Sequence, residues 1–69
     1  MRLKVNGKEE ETLETNLIDL LKSKDIEPRM VTVELNKQLV DRTDLSRTTL
    51  QEGDELEFIY FMGGGSEGF

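Results

Sequence analysis

Glu55-Leu56-Glu57-Phe58-Ile59-Tyr60-Phe61-Met62-Gly63-Gly64-Gly65 is the stretch on which the reading of this chain turns. Leu56, Phe58 and Tyr60 alternate with Glu57, Ile59 and Phe61, the period of two that a β-strand imposes on its side chains. One side of the strand is wholly apolar or aromatic, and the other is mixed. A strand this long and hydrophobic is the natural centre of a sheet. It begins after a Gly53-Asp54 turn and stops at three glycines, which lack the Cβ that strand packing needs.

Working outward, two further stretches have the same period. Met1-Arg2-Leu3-Lys4-Val5 places Met1, Leu3 and Val5 on one face, and Val31-Thr32-Val33-Glu34-Leu35 does so with Val31, Val33 and Leu35. Asn6-Gly7 closes the first strand. Both central residues of a type I′ turn need positive φ, so residues 8–12 are expected to return antiparallel. Glu9, Glu10 and Glu11 make that second strand charged and suit it to an edge. Three successive carboxylates also invite a metal or acid/base reading, but on a strand they alternate faces, so a solvated edge fits better. Asn36-Lys37 is a tight turn into a short fourth strand through Leu39 and Val40. Residues 41–49 read as an irregular connection with one helical turn at 44–47, anchored by Leu45 and Leu50.

Leu17, Leu20 and Leu21 recur at helical spacing, with Asn16 as N-cap and Asp19 in the first turn. Lys22 and Lys24 complement the other end of the dipole, and Pro28 is expected to bar continuation, giving a short helix over 17–24. Its leucine stripe packs on a sheet. The order is hairpin, helix, two strands, crossover, strand. It predicts an α+β domain of ubiquitin-like β-grasp type, a mixed sheet of four or five strands covered by one short helix. The domain is expected over 1–62, with 63–69 a flexible glycine tail carrying a four-residue extension.

Composition narrows the function. The chain of 69 residues has no cysteine and no histidine, so thiolate nucleophiles, thiolate metal sites and the commonest general base are all missing. No catalytic residue and no metal ligand set is expected, and the protein is read as a non-enzyme. Nine basic residues against fifteen acidic ones give a net charge of −6, which repels nucleic acid and anionic membranes and suits a basic partner surface. No signal peptide or membrane span is visible, so the cytosol is the default compartment. A glycine-rich phosphate loop needs a following helix, and only four residues follow Gly65.

Gly63-Gly64-Gly65-Ser66 alone would read as a flexible linker. Leaving the central strand of a small domain, however, a run without Cβ atoms can thread a narrow channel and be approached closely from every side. Ile59, Phe61 and Met62, apolar and beside the tail, are the candidate partner-binding residues. The alternative for them is core or edge packing. Arg42 and Asp54 each read as a structural ion-pair or turn residue, with a partner contact as the alternative.

Several segments, in order, carry a resemblance. They are Val5-Asn6-Gly7, Asn16-Leu17-Ile18-Asp19-Leu20-Leu21, Asn36-Lys37-Gln38-Leu39-Val40-Asp41-Arg42, Leu50-Gln51-Glu52-Gly53-Asp54-Glu55-Leu56 and Phe61-Met62-Gly63-Gly64-Gly65. From Met1 to Gly65 the chain resembles the bacterial sulfur carrier proteins of thiamine biosynthesis, small ubiquitin-like proteins that end in two or three glycines. Its shortness favours that family over its relative, the small subunit of molybdopterin synthase. The resemblance implies that a ThiF-like activating enzyme, using ATP and Mg²⁺, adenylates the terminal glycine carboxylate. A sulfur donor then converts the adenylate to a thiocarboxylate, which thiazole synthase receives. The carrier itself would bind no cofactor. Carriers for methionine, cysteine or molybdopterin synthesis, and a ubiquitin-like binding module without covalent chemistry, are the alternatives. One departure stands out: Gly65 is in amide linkage to Ser66-Glu67-Gly68-Phe69. Either a processing protease removes that extension, cutting after Gly65 or alternatively after Gly64, or the extension is an artificial addition.

Overall fold

The computed structural model describes residues 1–61; Met62 and everything after it lie outside the described residues. Five strands form one mixed sheet: β1 (Arg2–Val5), β2 (Lys8–Glu11), β3 (Val31–Leu35), β4 (Gln38–Val40) and β5 (Glu55–Tyr60), in the order β2-β1-β5-β3-β4. The long hydrophobic strand is therefore central, parallel to β1 on one edge and antiparallel to β3 on the other. Helix α1 (Leu17–Ser23) covers one face, and a 3-10 helix (Arg42–Arg47) packs beside it. This is the β-grasp that the element order predicts.

The core is what the alternation selects. Leu3 and Val5 of β1, Val31 and Val33 of β3, and Leu56 and Phe58 of β5 meet Leu17, Leu20 and Leu21 of α1. Leu45 and Leu50 are buried with them and pin the connection between β4 and β5. Tyr60 departs from the expected pattern. It shares the core-facing side with Leu56 and Phe58 yet is half exposed. The seven-residue helix is only about 10 Å long, whereas the six residues of β5 run about 20 Å, so the end of the strand overhangs its cover.

Two asparagines clip β5 in place from opposite edges. Asn6 (φ 49) and Asn36 (φ 51) each occupy the first position of a tight hairpin turn, followed by Gly7 (φ 84) and Lys37 (φ 71). In both turns the two central residues have the positive φ that a type I′ hairpin requires. The Asn6 carboxamide oxygen accepts from the Phe58 N–H at 2.8 Å, and that of Asn36 accepts from the Glu55 N–H at 3.0 Å. Asparagine thus serves twice, tolerating the left-handed backbone and supplying an acceptor to the central strand where its neighbour turns away. Asp54, one of the residues shared with the family resemblance, is a turn residue: its carboxylate takes hydrogen bonds from the Asn36 amide and the Gln51 N–H.

The helix begins as expected, with the Asn16 side chain accepting from the Ile18 N–H at 2.9 Å. Its end is set by another residue than the sequence suggests. Pro28 does not stop α1; it opens a separate 3-10 turn, Pro28–Met30, at the first position, where its missing N–H costs nothing. The chain leaves the helix at Asp25 (φ 58), with the Asp25 N–H bonded to the Lys22 carbonyl and the Ile26 N–H to the Leu21 carbonyl. That pair of bonds is a Schellman cap, built here without glycine. Aspartate pays a steric penalty in this conformation and lies at the negative end of the helix dipole. Asp25→Gly is therefore expected to stabilise the domain by about 0.5–1 kcal/mol, read as a higher urea midpoint with an unchanged slope.

The glutamate run behaves as a solvated edge. Glu10 points to the helix side and meets Lys24 at 2.6 Å, while Glu9 and Glu11 lie around Arg2 on the other face. Among the described residues no helix is long and apolar enough to cross a membrane.

Candidate functional site: the open sheet face at the root of the glycine tail

Among the described residues no element covers the face of the sheet opposite α1, and its character changes along β5. Near the start of β5, Lys4 is the register partner of both Glu9 and Glu55, so charges of opposite sign alternate there. Halfway along, Glu57 is directly opposite Glu34 of β3. Toward the exit of the chain, Ile59 is opposite Thr32, and the Phe61 N–H donates to the Met30 carbonyl at 3.0 Å, extending the ladder one rung beyond the strand.

Ile59 and Phe61 are 47% and 51% exposed, which places both on the surface as the alternation requires. That exposure excludes core packing for these two and leaves edge packing as the alternative to partner binding. Met62, the third candidate, and the tail glycines Gly63, Gly64 and Gly65 lie outside the described residues. The sequence reading missed two neighbours of the apolar patch. Met30 is exposed opposite Phe61, and Leu39 is exposed on β4 as the register partner of Glu34. Leu39 was legible, since it has the parity of Thr32 and Glu34 reflected through the Asn36-Lys37 turn. Met30 was not, because nothing in Pro28-Arg29-Met30 announces that the ladder reaches it. Phe61, Leu39 and Arg42 share the wall of a shallow cleft of about 140 Å³. Arg42 takes no part in the ion pairs of the described residues and opens the 3-10 helix, which leaves it the turn and partner-contact readings.

A sequence profile described as the ThiS family matches residues 3–65, from the first core leucine to the last glycine of the run. The chain belongs to the ThiS family. Among its relatives, the sulfur carrier protein ThiS of Bacillus subtilis is 35% identical over 65 residues, covering 91% of this chain and 98% of that protein. The crystal structure of the thiamine biosynthesis protein ThiS from Geobacter metallireducens superposes with a TM-score of 0.80 at 40% identity. It covers 94% of this chain and all of that one. The thiazole synthase of Paramagnetospirillum magneticum is 32% identical over 68 residues, which is 97% of this chain. The chain spans only about a fifth (21%) of the length of that synthase. The ThiS-family match reaches Gly65 and leaves residues 66–69 beyond it.

The match ends five residues after β5, on three glycines without Cβ atoms, and the exposed Ile59 and Phe61 precede that run. Among the described residues no group of three or more His, Cys, Asp or Glu side chains is gathered as metal ligands would be.

Proposed function

We propose that this chain is a sulfur carrier of thiamine biosynthesis, acting in the cytosol as a protein co-substrate of other enzymes. The observation that carries the reading is the end-to-end match with the sulfur carrier protein ThiS of Bacillus subtilis, within a family match that runs through the glycines to Gly65. The reactive group is the Gly65 carboxylate. An oxygen of that carboxylate attacks the α-phosphorus of ATP on an activating enzyme, pyrophosphate leaves, and an acyl-adenylate forms. A sulfur donor then displaces AMP at the carbonyl carbon, leaving a thiocarboxylate whose sulfur is nucleophilic without any cysteine in the carrier. ATP and Mg²⁺ belong to the activating enzyme.

Thiazole synthase is the proposed acceptor. A protein of that name in Paramagnetospirillum magneticum contains a segment similar to almost all of this chain, and such a union on one polypeptide supports the two acting on each other. Ile59, Phe61 and Met62 form the proposed contact with partners, next to the tail they must admit.

In this sequence Gly65 is bonded to Ser66, so its carbonyl is an amide. Hydrolysis of the Gly65–Ser66 bond by a protease releases the carboxylate; cleavage after Gly64 is the alternative. The test is the intact mass of the protein isolated at native expression from its own cells. A mass ending on Gly65, alone or with one oxygen replaced by sulfur, is the expected result. A population that retains residues 66–69 throughout has no reactive terminus and rules the carrier reading out.

A further inference from the structure

Asn6 and Asn36 hold β5 by the same device, but only Asn6 is followed by glycine. In each turn the carboxamide stands in for a main-chain carbonyl of the ladder. The Asn6 N–H donates to the Leu56 carbonyl at 2.9 Å while its Oδ1 accepts from the Phe58 N–H at 2.8 Å, bonds to either side of the opposite residue as in a parallel pair. The Asn36 N–H donates to the Glu55 carbonyl at 2.7 Å while its Oδ1 accepts from the Glu55 N–H at 3.0 Å, the reciprocal bonds of an antiparallel pair. Both turns are exposed to water. Their surroundings differ at the next nitrogen. Gly7 has no side chain to screen its nitrogen, and no atom lies within 4 Å of where a Cβ would stand. After Asn36 comes the side chain of Lys37, and the Asn36 Nδ2 is held by the Asp54 carboxylate at 3.0 Å.

We propose that Asn6-Gly7 is a self-modification site, converted to isoaspartate when the hairpin opens, and that the bond to Phe58 keeps it from reacting in the folded chain. The Gly7 nitrogen attacks Asn6 Cγ, its proton leaves with the carboxamide nitrogen as ammonia, and a cyclic imide closes. Water then opens the imide at either carbonyl. One product is aspartate in a normal chain; the other is an isoaspartyl link, whose main chain runs through the former side-chain carbon. Water is the sole co-reactant. For the Gly7 nitrogen to reach Cγ the carboxamide must swing out of the ladder, and while Oδ1 is bonded to Phe58 it is directed at β5. The two products differ in what they do to the fold. Aspartate keeps an oxygen for Phe58 and a backbone of the same length. The isoaspartyl link lengthens the main chain inside a turn that has only two central residues, and it removes the side-chain oxygen from the place where Phe58 meets it. Refolding cannot reverse that step, so the chemical lifetime of the chain is set by how often this hairpin opens.

The experiment keeps the 69-residue chain at neutral pH, with and without denaturing guanidinium chloride, and follows isoaspartate at positions 6 and 36 by peptide mapping. In denaturant Asn6 is expected to react at least about tenfold faster than Asn36, because only Asn6 precedes an unscreened nitrogen. In the folded chain Asn6 is expected to slow by about a hundredfold or more, and by no less than the hydrogen-exchange protection of the Phe58 amide in the same buffer. A slowdown smaller than that protection overturns the proposal, since the imide would then be closing with the bond to Phe58 intact. Equal rates at the two positions in denaturant overturn it as well, because glycine would not be what selects the site. The isoaspartyl form, separated from aged protein, should have a lower urea midpoint than Asn6→Asp. An isoaspartyl form as stable as Asn6→Asp would mean that the lengthened turn remakes the clip, and the irreversible loss would fall.

Discussion

A chain ended on Gly65 is expected to support ATP–pyrophosphate exchange by its activating enzyme, and the 69-residue chain to give none above background. The difference is expected to be all or nothing because it concerns the presence of the nucleophile. In the longer chain the Gly65 carbonyl is an amide, whose oxygen is far too weakly nucleophilic to displace pyrophosphate. The carboxylate of Phe69 is not expected to substitute, since a channel fitted to residues without Cβ would exclude a benzyl side chain. Removal of residues 66–69 leaves every described element and hydrogen bond in place, because β5 ends at Tyr60 and its last ladder bond is made by Phe61. Circular dichroism and the urea midpoint should accordingly be the same for the two forms, separating loss of activity from loss of fold. Equal exchange from both forms would mean that the reacting carboxylate is not at Gly65. A third chain ended on Gly64 tests the alternative site, and faster exchange from that chain would move the assignment there.

Most of the fold was legible because its information is local. Period-two alternation delimits β1, β3 and β5, and the paired positive-φ turns at Asn6-Gly7 and Asn36-Lys37 fix which strands are hairpin neighbours. The features that escaped depend on what meets across the sheet or on how far one element extends over another. Asp25 ends the helix in a conformation that glycine usually takes, so the residue type did not announce it, and Pro28 drew the inference instead. Tyr60 has the parity of a core residue, but its burial depends on the length of a helix forty residues earlier in the chain. Glu34 and Glu57 each read correctly as outward-facing residues. That they face one another follows only from β3 being the strand paired with β5, in a register that places Leu35 opposite Leu56. The same holds for the site. Ile59 and Phe61 came from the parity of one strand, whereas Met30 joined them through a ladder rung formed by a neighbouring turn.

Two aromatic residues three positions apart on the same strand path should respond in opposite ways to truncation. Phe58 is 4% exposed and central to the core, and Phe61 is 51% exposed on the far face. Phe58→Ala removes a buried ring and leaves a cavity between the sheet and the leucine stripe of α1, a loss of about 3–5 kcal/mol. A domain of this length has a total stability of roughly 3–10 kcal/mol, so much or all of its margin is gone. Thermal unfolding should shift down by on the order of 15–30 °C, and the NMR spectrum at 37 °C should lose much of its folded dispersion. Phe61 is outside the buried core cluster and Phe61→Ala keeps the backbone bond to Met30, so its stability should change by less than about 1 kcal/mol. Its effect belongs to association. An exposed aromatic at the root of the tail is the kind of side chain that anchors an interface, and its truncation should cost about 1–3 kcal/mol of binding, seen as a roughly 5- to 150-fold fall in kcat/KM for carrier in the exchange assay. If Phe61→Ala melts alongside Phe58→Ala, the ring is structural, and the docking face must be drawn without it. If it stays folded and is activated as well as the parent, the partner reads the glycine run alone, and the apolar patch on β5 has no part in activation.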